Sequence, residues 1–217
     1  MKTKVTQLMN PRITLNLFFM ALLSLFLVSC EKDEMKTVDS LDAKAATEMK
    51  ENNASPAPGD VSIAGVVVNS VEVNGEFEYL LESLVYVDEM LDAGLVPMFS
   101  STDDQYTVFA PTDEAFKDLL AELTDIDRDD LMPEDVRELA PDLLLAVLSY
   151  HVTDGRRGAN SVVPKKNNKT IQTLLGEKFQ VTSEGQILAN ASEAWITSAD
   201  ISASNGIIHV ISAVLLP

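Results

Sequence analysis

The sequence predicts an α+β fold, in which N-terminal helices pack against a C-terminal, β-rich wedge of antiparallel strands. Between residues 62 and 150, apolar residues recur largely at three- and four-residue spacing, which is typical of helices with one buried face. From residue 170 onward, the apolar runs are short, β-prone and separated by Gly, Asn and Ser, which is typical of strands. Helices that precede strands along the chain indicate the α+β class.

The first 29 residues predict export of the chain. A basic start precedes the apolar run ITLNLFFMALLSLFLVS, which is the pattern of a secretory signal peptide. The lone cysteine, Cys30, follows directly, and LVSC resembles the lipobox of bacterial lipoproteins, in which the cysteine carries the lipid. An uncleaved signal anchor is the alternative interpretation. Two or three lipid chains hold a protein at a membrane, whereas one chain does not.

Residues 30–60 predict a flexible, lipid-anchored tether, because they are polar, rich in Ala, Glu and Lys, and end in NNASPAPGD. Near its start, Lys32, Asp33 and Glu34 resemble a signal that sends lipoproteins to the outer face of the outer membrane in one group of Gram-negative bacteria. The expected location is therefore the bacterial cell envelope, as a surface-exposed outer-membrane lipoprotein. One folded domain is expected over 61–217, held to the membrane through its lipid alone.

The net charge limits the kinds of partner that the protein can bind, and the cysteine count limits how the fold can be stabilised. Once residues 1–29 are removed, the chain carries 34 acids against 13 Lys and Arg, a formal net charge of −21. A nucleic-acid partner needs a basic footprint, and docking on anionic lipid needs basic clusters, so this charge argues against both kinds of partner. With one cysteine no internal disulfide can form, and a packed core must provide the stability.

Two helical stretches open the domain, SIAGVVVNSV at 62–71 and EFEYLLESLVYVDEMLDAGL at 76–95, with Gly94 as a plausible stop. The β-prone run QYTVFAP follows and ends at Pro111. Thr112 is then the expected N-cap of the amphipathic helix DEAFKDLLAEL, whose first-turn acids suit the helix dipole. Two further helical stretches, MPEDVREL and PDLLLAVLSYHV, place Pro133 and Pro141 in their first turns.

The expected strands are TIQTLL, KFQVTS, QILANA, AWITSADI and GIIHVISAVLL, and the SEG that precedes Gln186 predicts a hairpin turn. Asn205 and Gly206 form a strong tight-turn pair, since both residues tolerate positive φ. The strand after this pair lacks clean alternation, so we expect it to be buried on both faces.

Three stretches together resemble the fasciclin domain: YTVFAPTDEAF at 106–116, LSYHVTDGRR at 148–157 and DISASNGIIHVISAVLLP at 200–217. They match, in order, the family's TVFAPT box, its central Tyr-His and its terminal NG-x-x-H-x-I-D-x-V-L-x-P box. The resemblance covers 62–217 and implies the fasciclin fold, in which Thr112, Asn205, Gly206 and His209 belong to structural boxes. The departures are Ser212, where the family usually has aspartate, and a longer acidic insert at 124–142.

The resemblance also implies two candidate partner-binding segments. In animal members an Asp-Ile pair just before the last box has been linked to integrin recognition, and Asp200-Ile201 stands at the matching place. Only the position is carried over, because a bacterial partner need not be an integrin. The family associates the Tyr150-His151 segment with adhesion as well. Burial of either of these two residues would leave only its neighbours available.

The two histidines of the chain, His151 and His209, allow three interpretations: a catalytic base, a zinc site completed by a carboxylate, or core rings that bond backbone. Their apolar surroundings favour the third, in which each ring joins two segments. The sequence lacks a G-x-S-x-G elbow, a Gly-rich phosphate loop, an H-E-x-x-H motif and a calcium loop, so no catalytic residue, metal or cofactor is predicted.

Three other side chains are weaker candidates for ligand binding. Trp195 offers a surface on which a sugar ring can stack, although a partly buried strand residue is the simpler interpretation. Arg156 and Arg157 offer an anion site, although a surface turn is simpler.

The sequence thus predicts a non-catalytic adhesion or binding module for extracellular protein or glycan partners. The alternative is an accessory lipoprotein of an outer-membrane nutrient-uptake complex, which holds a glycan or a partner subunit. A hydrolase that uses an acidic pair is a distant third.

Overall fold

A computed structural model describes residues 59–217 of the chain. The predicted signal peptide, Cys30 and the tether up to residue 58 lie outside the described residues. The helices are α1 (Ile63–Asn74), α2 (Glu78–Leu91), α3 (Leu95–Ser100), α4 (Asp113–Leu123), α5 (Pro141–Tyr150) and α6 (Ala159–Val162), with 3₁₀ turns at Arg128–Asp130 and Pro133–Glu138. The strands are β1 (Tyr106–Pro111), β2 (Val152–Asp154), β3 (Lys169–Gln172), β4 (Lys178–Val181), β5 (Gln186–Leu188), β6 (Glu193–Ala203) and β7 (Gly206–Ile211).

The strands form one sheet in the order β2-β1-β7-β6-β5-β4-β3. The α+β class is confirmed, and five of the six strand pairs are antiparallel as expected. The exception is β1–β7, which are parallel and in register from Tyr106 opposite Gly206 to Pro111 opposite Ile211. Parallel neighbours need a long crossover, and everything from α4 to β6 lies between these two strands in the chain.

The sheet almost closes on itself, because its two edges approach each other. The N–H of Leu174, just after β3, donates to the carbonyl of Val152 in β2 over 2.8 Å. The hydroxyl of Thr153 donates to the carbonyl of Gln172 in β3 over 2.7 Å. β2 itself lies at the end of a stretch for which the sequence predicted only helix.

Two apolar clusters fill the interior. The larger lies between the helices and one face of β1 and β7, with Phe116, Leu120, Leu144, Val108 and Ile208 among its members. The smaller lies on the opposite sheet face, inside the wedge, and is built from Phe109, Tyr150, Ile171, Phe179 and Ile211 with their neighbours. Every residue of β7 is buried, so the expectation of a strand covered on both faces is confirmed.

The helix boundaries depend on local capping. The side chain of Thr112 accepts from the N–H of Ala115 at 3.2 Å, so its predicted N-cap role is confirmed. The expected stop at Gly94 is wrong: α2 ends at Leu91 because Asp92 takes a left-handed conformation with φ of 51°. Gly94, with φ of 72°, is instead the N-cap residue that precedes α3.

Asp113 connects two helices. Its carboxylate accepts from the N–H groups of Glu78 and Tyr79 at 3.2 and 3.1 Å, and so caps the start of α2, where Phe77 offers no side-chain cap. Its own N–H donates to the carboxylate of Glu76 at 3.0 Å. Burial raises the pKa of Asp113, although the two backbone hydrogen bonds oppose that shift. The acid therefore holds α2 against the start of α4.

The acidic insert at 124–142 packs on α2 through apolar side chains. Leu131 and Val136 are buried, at 4% and 0% exposure. The hydroxyl of Tyr79 in α2 donates to the carbonyl of Leu131 at 2.8 Å. Arg137 forms ion pairs with Glu82 and Glu89 of the same helix. The insert thus extends the helical layer.

Candidate binding site at the β6 bulge

The candidate pair Asp200-Ile201 lies where β6 departs from regular pairing with β7. Ser198 is opposite Val210 and Ile201 is opposite Ile208, so Ala199 and Asp200 together oppose His209. Such a two-against-one arrangement is a β-bulge. Asp200 takes a φ of 61°, a left-handed conformation that a short polar side chain tolerates better than most. We call residues 198–201 the β6 bulge.

Asp200 is held by hydrogen bonds from both its backbone and its side chain. Its carboxylate oxygen Oδ1 accepts from the N–H of Ala159 at 2.7 Å, at the start of α6. Its own N–H donates to Nδ1 of His209 at 3.3 Å. Asp200 is half-buried, and the hydrogen bond from Ala159 holds its carboxylate near the surface.

His209 joins the β6 bulge to the loop after β2. Because Nδ1 accepts from Asp200, the proton must sit on Nε2, which donates to the carbonyl of Arg157 at 2.9 Å. Burial lowers the pKa of His209, so the neutral ring is favoured. The ring also lies 5.6 Å from that of Phe109, centroid to centroid. Both ring nitrogens are therefore occupied by backbone groups.

Ile201 is half-buried and packs against the larger apolar cluster. Part of its side chain contributes to the core, and the rest lies at the surface beside Asp200. The pair thus offers a fixed carboxylate next to a small apolar patch.

Arg156 stabilises the hairpin end next to the bulge. Its guanidinium donates to the carbonyls of Ala203 and Gly206 and to the hydroxyl of Ser202. Burial lowers its pKa. Because these donors are directed at the chain itself, Arg156 is a poor candidate for the anion site considered from sequence. The neighbouring Arg157 is half-exposed, and its Nε donates to the carbonyl of Asp154 at 3.0 Å.

The tight turn between β6 and β7 consists of Ser204 and Asn205, whereas Gly206 is already the first residue of β7. The expected reason for the Asn205-Gly206 pair is also wrong, since neither residue has a positive φ. The fully buried Asn205 amide donates to the carbonyls of Phe99 and Ser101 at 2.9 and 2.6 Å. Its oxygen accepts from the N–H of Ile63 at 2.8 Å. A Cβ on Gly206 would stand 2.2 Å from the carbonyl oxygen of Tyr106, so close approach requires glycine.

The second candidate segment needs correction, because Tyr150 and His151 are 0% and 4% exposed. The hydroxyl of Tyr150 donates to the carbonyl of Lys178 at 2.9 Å. In His151, Nδ1 bonds the carbonyl of Val147 at 2.7 Å, and Nε2 accepts from the N–H of Leu215 at 2.8 Å. Neither side chain is available to a partner, since both fill the space between α5 and the sheet.

The remaining predicted residues are spread over the domain. Trp195, in β6, is 45% exposed, which is more than a partly buried strand residue would show. Cys30 lies outside the described residues. Within residues 59–217, no three His, Cys, Asp or Glu side chains are arranged to hold a metal ion. In the same range, no helix has the length and apolar character to cross a bilayer.

Sequence reasoning missed the parts that Ala159 and Arg156 play around the bulge. The signal in the sequence is the segment DGRRGAN, which places two arginines and two glycines between a strand and a short helix. A segment of this kind predicts a loop, but it does not identify the strand that the loop contacts.

Comparison with known proteins gives consistent matches. Residues 84–217 match the family model described as Fasciclin domain. A Synechocystis protein named sll1483 is 33% identical over 177 residues, which span 81% of this chain and 86% of that protein. Immunogenic protein MPB70 of Mycobacterium bovis is 31% identical over 170 residues, or 76% of this chain and 77% of that protein.

A solved structure shares the fold. It is a FAS1 domain pair from the insect cell adhesion molecule fasciclin I, with a TM-score of 0.52 and 16% identity. The similarity covers 74% of this chain and 52% of the insect chain.

Proposed function

Because the chain belongs to the fasciclin-domain family, we propose that it is a lipid-anchored binding module of a bacterial cell envelope. It attaches the cell to an extracellular protein or glycan partner and catalyses no reaction. The solved structure with the same fold comes from a cell adhesion molecule, which supports an attachment role.

The observation that carries the proposal is the β6 bulge. An aspartate held in a left-handed conformation, with its carboxylate fixed on the N–H of Ala159, presents a negative charge at one defined place beside Ile201. Backbone strain of this kind persists where the surroundings fix it, and such positions cluster at recognition sites. The bulge is therefore the proposed contact for a partner.

The histidines support a non-catalytic role. A general base needs a ring nitrogen that can reach the proton of a substrate or nucleophile. In both His151 and His209, each ring nitrogen is instead bonded to a backbone group.

Attachment by the bulge is tested with Asp200→Asn in the full chain on cells. Asparagine keeps an oxygen that can accept from Ala159 and tolerates positive φ, but it lacks the charge. We expect the unfolding midpoint to change little and attachment to the cell's natural surface to fall at least several-fold. Ile201→Val, which removes one methylene from the adjacent patch, should weaken attachment less.

The matched control is Asp154→Asn, since Asp154 is an exposed acid at the end of β2. It removes the same charge without touching the bulge and should leave attachment unchanged. Equal attachment by the Asp200 variant and the wild type would show that the bulge carries no recognition.

Lipid anchoring is proposed through Cys30. The expected result is that a clickable palmitate analogue labels the wild-type chain in cells, whereas Cys30→Ser remains unlabelled and leaves the membrane fraction. Protease added to intact cells should remove the domain if Lys32, Asp33 and Glu34 act as a surface-export signal. Complete protection from protease would reject the surface location.

A further inference from the structure

The sheet has an outer face that the described helices leave open. Over β1 and β7, the face opposite the wedge interior is covered by the larger apolar cluster. Across β3 to β5 and the start of β6, residues alternate between the buried smaller cluster and solvent. Strand register places the outward-facing side chains on one surface: Thr170, Gln172, Lys178, Gln180, Gln186, Leu188, Glu193 and Trp195. We call this surface the open face.

Trp195 is the single tryptophan of the sequence and lies on the open face with 45% of its surface exposed. Its backbone is fixed, because its N–H donates to the hydroxyl of Ser212 and its carbonyl accepts from the N–H of Ser212, both at 3.0 Å. Exposed tryptophan held on a rigid strand is typical of binding surfaces, where the ring contributes a large contact area at low entropic cost.

Two amide side chains lie on the same face as this ring. Gln186 is directly opposite Trp195 on β5, and Gln180 lies one strand further, opposite Leu188. Gln186 donates to Glu193 at 2.9 Å, and Gln180 accepts from Asn168 at 3.1 Å. Each amide therefore keeps hydrogen-bonding groups toward solvent, since an amide has both donors and acceptors.

The charge of the open face selects the ligand class. Residues 59–142 contain 22 Asp and Glu against three Lys and Arg, whereas the open face carries one Lys and one Glu. Because these two charges are opposite in sign, the open face does not attract a polyanion or a polycation electrostatically. A hydroxyl-rich, uncharged ligand with an apolar ring face fits both the indole and the amides.

We propose that the open face, with Trp195 as its stacking platform and Gln186 and Gln180 as its polar groups, binds a neutral oligosaccharide. The pyranose C–H face lies on the indole, and the sugar hydroxyls bond the amides. Four strands at their usual spacing span about 14 Å, so more than one sugar residue is accommodated. The proposal goes beyond the attachment role, because it names another surface and a ligand class.

The test follows the fluorescence of Trp195 in the full chain, in mild detergent. Maltotetraose, cellotetraose and N-acetylchitotetraose are titrated in turn, beside heparin as a polyanionic arm. The expected result is a saturable change with at least one neutral oligosaccharide and none with heparin. Because the chain has one tryptophan, any saturable change reports on this face directly.

Variants are compared by migration in gels that contain the corresponding polysaccharide. Trp195→Ala and Gln186→Ala should each reduce the retardation of the protein in the gel. For Trp195→Ala we expect an affinity about tenfold lower than that of the wild type. Trp195→Phe keeps an aromatic ring and should retain partial binding. Met132→Ala is the matched control, since Met132 is 59% exposed on the acidic insert, away from this face.

Absence of binding by the wild type to all three neutral probes, or equal retardation of Trp195→Ala and wild type, would overturn the proposal. The attachment role is judged separately, because Asp200→Asn leaves the open face intact. Loss of sugar binding with normal attachment, or the reverse, therefore identifies which of the two proposals fails.

Discussion

His209 stabilises the fold through two backbone partners that belong to different segments. We expect His209→Ala to lower the free energy of unfolding by about 2–4 kcal/mol, because it leaves a cavity and removes the partners of the Asp200 N–H and the Arg157 carbonyl. Denaturant unfolding with an unchanged m-value measures this loss. A variant of wild-type stability that had lost partner binding would contradict the structural role.

His151 makes stability depend on pH. Burial lowers its pKa from 6.5 to about 4, so the unfolded chain takes up the proton first. The stability it contributes is complete above pH 6.5 and decreases as pH falls toward 4. The loss between pH 7 and pH 5 should be about 2 kcal/mol from this ring.

Urea unfolding at the two pH values measures that loss, and NMR titration of the ring protons measures the pKa itself. The hydrogen bond from Leu215 requires an unprotonated Nε2, so it should persist down to pH 5. A ring that titrates near pH 6.5 in the folded protein would contradict the assignment.

For individual residues, the sequence predicted which side chains form hydrogen bonds with the backbone, but it did not predict the backbone groups that they contact. Apolar neighbours indicated that both histidines lie in the core. The positive φ of Asp200 had no sequence signal, because it depends on the register between β6 and β7. The burial of Tyr150 also depends on packing against β4, which is distant in the chain.

The β6–β7 hairpin is held against β1 by close approach at Gly206. A Cβ there would stand 2.2 Å from the Tyr106 carbonyl oxygen and 2.6 Å from Ile63. Gly206→Ala should therefore cost about 3 kcal/mol of stability. Gly176→Ala is the matched control: it has φ of 92° and open space, so about 1 kcal/mol is expected. Thermal unfolding that ranks the two variants in the opposite order would reject the close-approach explanation.

The acidic insert is stabilised by burial more than by its ion pairs. Val136→Ala removes two buried methyl groups at 0% exposure and should cost about 2 kcal/mol. Arg137→Ala removes exposed ion pairs that salt screens, so we expect a much smaller change that vanishes at high salt. Denaturation of both variants at low and high salt compares the two contributions. A larger cost for Arg137→Ala would show that charge holds the insert.

Elements with a clear period and caps were predictable, and elements defined by long-range pairing were not. The helix over 113–123 followed from Thr112 and its apolar spacing. By contrast, β2 is a three-residue strand that exists because β1 lies beside it, and the parallel β1–β7 pair has no local signal.

The molecule as a whole has a strongly uneven charge. The helical part repels itself, with 22 acids and three basic residues in 59–142. We expect the melting temperature to rise from low salt to about 0.5 M NaCl, because screening weakens this repulsion. Thermal unfolding monitored by circular dichroism checks the direction, and a lower melting temperature in salt would contradict it.

The pairing of β1 with β7 also determines at which stage of synthesis the domain can fold. Phe109 and His209 are register partners, so the centre of the sheet joins segments a hundred positions apart. Such a high contact order makes loop closure slow and requires both strands at once. Until residue 211 has left the ribosome, β1 can pair only with β2, so the centre of the sheet cannot form before nearly the whole domain has been synthesised.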